Sequence, residues 1–120
     1  MVKLAIGGAI DKQKIAELIQ EIGGERVKFE IMSDIEAAMA VKSGAYDYYL
    51  GACATGGGGS LAMAIALLGA NNCKTISMPG KPPREEDVRE AFERGKKAFG
   101  FTNEHIGAVV PMLMKYIIKE

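Results

Sequence analysis

Neither sign of charge is in excess in this chain: fifteen lysines and arginines stand against fifteen aspartates and glutamates. That balance supplies no basic field to hold nucleic acid and no polybasic stretch for an anionic membrane, so neither is an expected partner. Cysteine is scarce, with only Cys53 and Cys73. Two thiols make no disulfide framework, and with a single histidine, His105, they make no zinc set, so no metal is expected. No apolar run reaches the length of a membrane span, and Met1 to Gly7 is too short for a signal peptide, which makes the cytoplasm the expected compartment. Tandem repeats, low-complexity tails and linkers are also missing, so residues 1–120 read as one domain. With 48% hydrophobic residues, such a domain can build a core of its own.

What is present is a hydrophobic period that switches repeatedly between strand and helix. Val2 to Ile6 reads as a strand ending in Gly7-Gly8, and Asp11 opens a helix with Ile15, Leu18, Ile19 and Ile22 inward until Gly23-Gly24 stops it. Val27, Phe29 and Ile31 alternate with Lys28 and Glu30, the pattern of an edge strand with one wet face. Ser33-Asp34-Ile35-Glu36 is a capping box for a second helix, read with Ile35, Ala38 and Met39 inward and Gly44 at its end. Tyr46 to Leu50 is the third strand, with Asp47 pinning its start, and Lys74 to Met78 is the fourth. Acids at 85–87 open a helix expected to bury Val88, Ala91, Phe92 and Phe99, with Gly95 a weak point. Thr102-Asn103 is read as the cap of a last helix, striped by Ile106, Val109, Val110, Leu113, Met114 and Ile117, which Pro111 should kink or split.

Strand–helix alternation of this kind predicts an α/β domain of three layers: a four-stranded parallel sheet in the order 2-1-3-4 with helices on both faces. In that order strands 1 and 3 are neighbours whose chains leave to opposite faces, and the crevice at their C-terminal ends is the expected ligand site. Two glycine-rich loops end those strands, one at Gly7-Gly8 and one running from Gly51 to Ser60. In the second, Cys53 is followed by Thr55, Gly56, Gly57, Gly58, Gly59 and Ser60, ahead of the helix Leu61 to Leu68. Glycines let successive N–H groups turn toward one point, and a helix start adds its positive dipole end, so the loop reads as a cradle for phosphate or carboxylate. Its bland counterpart is a slack connector, but connections in compact α/β units usually run about 2–6 residues. The loop is not a dinucleotide fingerprint, since that would follow the first strand, nor a P-loop, since no Lys precedes Ser60. No cofactor is therefore expected.

Residues 43–62, above all Cys53, Thr55, Gly56, Gly58 and Ser60, resemble the active-site segment of the type B ribose-5-phosphate isomerases and their galactose-6-phosphate isomerase relatives. That resemblance implies an aldose–ketose isomerisation in which Cys53 is the base, and Thr55 with the amides of Gly56 to Gly58 holds the enediolate oxygen. The first loop differs, carrying Ala9-Ile10 where that family has Asp-His. Over nearly the whole chain, through Asp34 to Gly44, Asp47 to Cys53, Leu68-Gly69, Pro79-Gly80, Ala98-Phe99-Gly100 and Pro111-Met112-Leu113, the sequence is similar to the uncharacterised bacterial YhfU-like family. Three functions stay open on these residues: binding of a small anionic metabolite such as a sugar phosphate, isomerisation of one, or a non-catalytic sensor or scaffold. The all-apolar stretch Leu61 to Leu68 and the last helix predict a homo-oligomer. Cys73 reads as structural, and His105 as a surface or capping residue.

Overall fold

The structure, a computed structural model, describes residues 1–54 and 57–119; for 57–60 it describes the backbone only. Five strands, β1 (Val2–Gly8), β2 (Val27–Ile31), β3 (Tyr48–Cys53), β4 (Cys73–Thr75) and β5 (Ala98–Thr102), form one parallel sheet in the order β2-β1-β3-β5-β4. The helices are α1 (Lys12–Gly23), α2 (Asp34–Lys42), α3 (Gly57–Leu68), α4 (Glu85–Glu93) and α5 (Ile106–Ile117). One face carries α1, α4 and α5 over Leu4, Ile6, Leu50, Phe99 and Phe101, and the other carries α2 and α3 over Ala5, Tyr49, Cys73 and Ala98. The α/β class and the adjacency of β1 and β3 are as the alternation predicts, and the strand count is corrected from four to five.

The fifth strand lies where a helix was expected. Gly95, at φ 76°, ends the turn that follows α4, and the chain then enters the sheet between β3 and β4. All five residues of β5 are buried, so it has the continuous apolar run of a doubly covered parallel strand rather than an alternating pattern. Phe99 therefore belongs to the sheet and not to α4, although its ring stacks on Phe92 with centroids 4.9 Å apart. Thr102 ends this strand instead of capping a helix, and α5 runs unbroken through the exposed Pro111. Similarly α3 opens at Gly57, three residues before Ser60.

Three glycines stand in register across neighbouring strands, Gly7 on β1, Gly51 on β3 and Gly100 on β5. Over the first two lies the ring of Tyr49: a Cβ on Gly7 would meet Tyr49 Cε2 at 2.6 Å and the Ala37 Cβ at 2.8 Å, and one on Gly51 would meet the Tyr49 Oη at 2.8 Å. The smooth patch admits α2 closely, through Ala37, Ala38 and Val41. Ile35 and Met39, expected inward, point to solvent at 54% and 48% exposure because those small residues form the contact face. The Ser33–Glu36 capping box forms as read, with both of its bonds at 3.1 Å. Asp47 does pin the start of β3: its carboxylate accepts the Lys3 N–H at 2.8 Å and its own N–H donates to the Lys3 carbonyl at 2.7 Å.

Candidate functional site at the C-terminal edge of the sheet

The sheet interior is apolar, and its polar side chains gather at one end. Side chains alternate along a strand, so Tyr49, Gly51 and Cys53 share the face covered by α2 and α3, and Ala98, Gly100 and Thr102 share it on the neighbouring strand. Cys53 and Thr102 are register partners, which sets thiol and hydroxyl side by side at the strand ends. Next to them α3 starts at Gly57 and crosses β5 on its way toward β4. The first-turn amides of that helix, Gly57 to Gly59 among them, have no carbonyl partner within the helix.

On the β1 side of Cys53, the buried Tyr49 hydroxyl donates to Asp34 Oδ1 in a short hydrogen bond, and the Gly8 N–H reaches the same oxygen at 3.4 Å. Burial first, and the Asp34 carboxylate second, push the Tyr49 hydroxyl far above the ordinary tyrosine range, so it stays a donor. On the β4 side, Ser77, Thr102 and His105 form a triangle. His105 Nδ1 lies 2.6 Å from Thr102 Oγ1 and 3.0 Å from Ser77 Oγ, the two hydroxyl oxygens are 3.3 Å apart, and the Thr102 N–H donates to Ser77 Oγ at 3.2 Å. Further out, Asn103 Nδ2 donates to Asp11 Oδ2 at 3.1 Å and ties the loop after β1 to the loop after β5, the two strands that flank β3. Asp11 holds φ 56°, the one positive φ on a non-glycine among the described residues. It precedes α1 yet makes no side-chain cap, its carboxylate being turned to Asn103.

The structure puts the residues singled out in the sequence in different positions. Cys53 ends β3 and is 4% exposed. Gly7 and Gly8 end β1, where their missing side chains serve packing: Gly7 makes room for Tyr49, and Gly8, at φ 80°, brings its backbone against Ala52, whose N would lie 2.6 Å from a Cβ there. Gly57, Gly58, Gly59 and Ser60 form the opening of α3. Thr55 and Gly56 lie outside the described residues, as do the side-chain surroundings of Ser60. Cys73 is structural, as read: its buried thiol donates to the Gly69 carbonyl at 3.5 Å, and burial pushes its pKa up.

Ser77, Thr102, Asn103 and Asp11 carry the polar geometry of this edge and escaped the sequence reading as site residues. The bonded pairs among them, Ser77 with Thr102 and Asp11 with Asn103, are 25 and 92 positions apart along the chain, and short polar residues at element ends look like caps until the sheet order is known. His105 did show one signal, being the sole histidine of the chain. A groove of about 750 Å³ is at the opposite end of the sheet, between α4 and α5 over Tyr48, Phe92 and Tyr116, away from this chemistry. No group of three or more potential metal ligands occurs among the described residues.

Comparison with known proteins gives matches over the same length. Residues 2–117 match the family described as "Protein of unknown function DUF2620". The chain is 38% identical over 117 residues to the uncharacterised protein YhfU of Escherichia coli K12, covering 98% of this chain and 99% of that one. The YhfU proteins of Escherichia coli O6:H1 and Shigella flexneri match with the same identity and coverage.

Proposed function

We propose that this chain, which belongs to the DUF2620 family of proteins of unknown function, binds a small anionic metabolite, a phosphorylated sugar among the candidates, at the C-terminal edge of its sheet beside β1 and β3. The observation that carries this reading is the convergence at that edge of the α3 start with the polar row Asp34, Tyr49, Cys53, Thr102, Ser77 and His105. Strands β1 and β3 are neighbours while α1 and α3 leave to opposite faces, the topology that opens a crevice in doubly wound sheets. Backbone amides at a helix start favour negative charge there. In this reading the amides of Gly57, Gly58 and Gly59 at the start of α3 meet the ligand, beside the ends of β1 and β3.

A thermal-shift screen of phosphorylated sugars and carboxylates tests it. Ligand at about 100 times Kd should stabilise the protein by roughly 2.7 kcal/mol, and Gly58→Val should reduce that shift. Equal shifts in both proteins would take the loop out of the site.

A second reading follows from the pairing of Cys53 with Thr102 at the strand ends. In it the bound sugar phosphate is isomerised: the Cys53 thiolate removes the proton from the carbon next to the carbonyl, forming an S–H bond that can exchange with solvent, the remaining enediol proton passes from one oxygen to the other, and the thiol protonates the adjacent carbon and returns to thiolate. Cys53→Ser should then abolish solvent exchange at that carbon and leave affinity nearly intact, because a base acts in the transition state. Cys53 should also alkylate faster than Cys73, whose thiol burial holds in the protonated form. A pure binding protein shows no exchange in either version.

A further inference from the structure

The single histidine of this chain stands at the N-cap position of α5, partly buried, but its side chain makes no cap hydrogen bond. Its Nδ1 is the third corner of the triangle with Thr102 Oγ1 and Ser77 Oγ, and those two residues are 0% and 3% exposed. Counting protons decides which ring nitrogen carries one. Each hydroxyl has one proton to place, and among the described residues its acceptors are the other two corners. With Nδ1 bare, the Ser77 O–H donates to Thr102 and the Thr102 O–H to Nδ1, and nothing is left over. With Nδ1 protonated there are three protons and only two accepting oxygens. One hydroxyl proton then has no acceptor, a penalty that burial makes steep. The Thr102 N–H donating to Ser77 Oγ fixes the pair further.

The geometry points to His105 as a ligand-binding residue, held in the Nε2–H tautomer, that donates this N–H to an oxygen of a phosphate or carboxylate bound at the C-terminal edge. This deepens the anion-binding reading and rests on it. The two ring nitrogens flank one carbon, so anchoring Nδ1 to the buried hydroxyls turns Nε2 away from them, on a residue that is only partly buried. Nε2 has no partner among the described residues. Thr102 is the register partner of Cys53 on a strand that α3 packs across, so the triangle stands at the strand ends beside which α3 starts. Ser77 and Thr102 are positioning residues: their hydroxyls set the tautomer.

One histidine gives one pair of ring nitrogen resonances, which makes the test direct. In ¹⁵N-labelled protein the long-range nitrogen–proton correlation should show the proton on Nε2, and Thr102→Val should remove that preference. Titration with inorganic phosphate should move the Nε2 resonance together with the amides of Gly57 to Gly59. His105→Leu should weaken phosphate binding roughly ten-fold, whereas His105→Gln, whose amide still donates, should stay within about three-fold of the wild type. Loop amides that shift while Nε2 stays still would overturn the assignment and leave the anion site standing. A spectrum unmoved at every position would remove both. The wild-type spectrum decides the question even where His105→Leu fails to fold.

Discussion

At the scale of single residues, Gly7 shows how a ligand-like signal in sequence can be a packing requirement in space. Its position on β1 leaves only the room that the Tyr49 ring and the Ala37 methyl do not fill. Gly7→Ala would set a methyl 2.6 Å from one and 2.8 Å from the other, and neither a ring clamped by its hydroxyl nor a backbone-borne methyl can step aside cheaply. The expected cost is about 1–3 kcal/mol, read as a lower urea midpoint with an unchanged slope. Gly95 obeys the opposite logic. A Cβ there meets nothing within 4 Å, yet φ is 76°, so Gly95→Ala should lose about 1 kcal/mol through backbone strain alone. If Gly95→Ala is neutral by the same measurement, the left-handed turn is not what separates α4 from β5.

At the scale of elements, α5 carries a proline in mid-helix with its stripe fully buried against α1 and the sheet. Pro111 has no N–H to offer the Gly107 carbonyl, and its side chain faces solvent, so nothing in the core needs it. Pro111→Ala should raise stability by up to about 3 kcal/mol, checked by thermal and urea unfolding. Helix ends also respond to pH. Bonds from the Ser33 backbone and hydroxyl hold the Glu36 carboxyl below its ordinary value, and bonds from Tyr116 and Lys115 do the same for Glu85. Both folded values lie below the unfolded one, so their stabilisation is complete above the ordinary glutamate pKa of about 4.3 and fades as pH falls through the folded values. Glu36→Gln, which can still close the capping box, should shed its share of that acid sensitivity in unfolding curves taken between about pH 5 and 3.

The elements also show how far a sequence can be read. The four strands β1 to β4, the capping box of α2 and the switch between β1 and β3 were legible because each writes a local pattern: an apolar run, an alternation or a cap. Strand β5 was not, because a strand covered on both faces has no alternation, and Phe92 and Phe99, seven apart, imitate a helical face. The inward side of α2 was misread for a related reason: the helix contacts the sheet through alanines, and only the Tyr49 ring over Gly7 and Gly51 explains why small residues belong there. Of the site, the glycine loop and Cys53 announce themselves by composition. The Ser77–Thr102–His105 triangle does not, since it exists only once β5 has been inserted between β3 and β4.

At the scale of the molecule, the two faces of the sheet are unequally covered. Three helices pack on one and two on the other, and the stripe of α5, one of the two surfaces expected to face a second copy, is used up inside the chain. On the thinner side Ile35 and Met39 of α2 and Ile65 of α3 stand in solvent, Ile65 at 42% exposure, on helices that pack against each other. The sheet edges are poor joining surfaces by comparison: β2 carries Lys28 and Glu30, and β4 has only three residues. Self-association should therefore run through α2 and α3. Sedimentation of the wild type at tens of micromolar should give the mass of a dimer, and Ile65→Glu combined with Met39→Glu should return a folded monomer, since neither side chain is part of the core. A wild-type monomer at that concentration would refute the dimer. Because α3 begins at the candidate site and exposes Ile65 two turns later, the same double variant also tests whether the two are linked: phosphate binding that weakens in the monomer would mean the α2–α3 contact holds the start of α3 in its binding position, and unchanged binding would mean each chain carries a complete site.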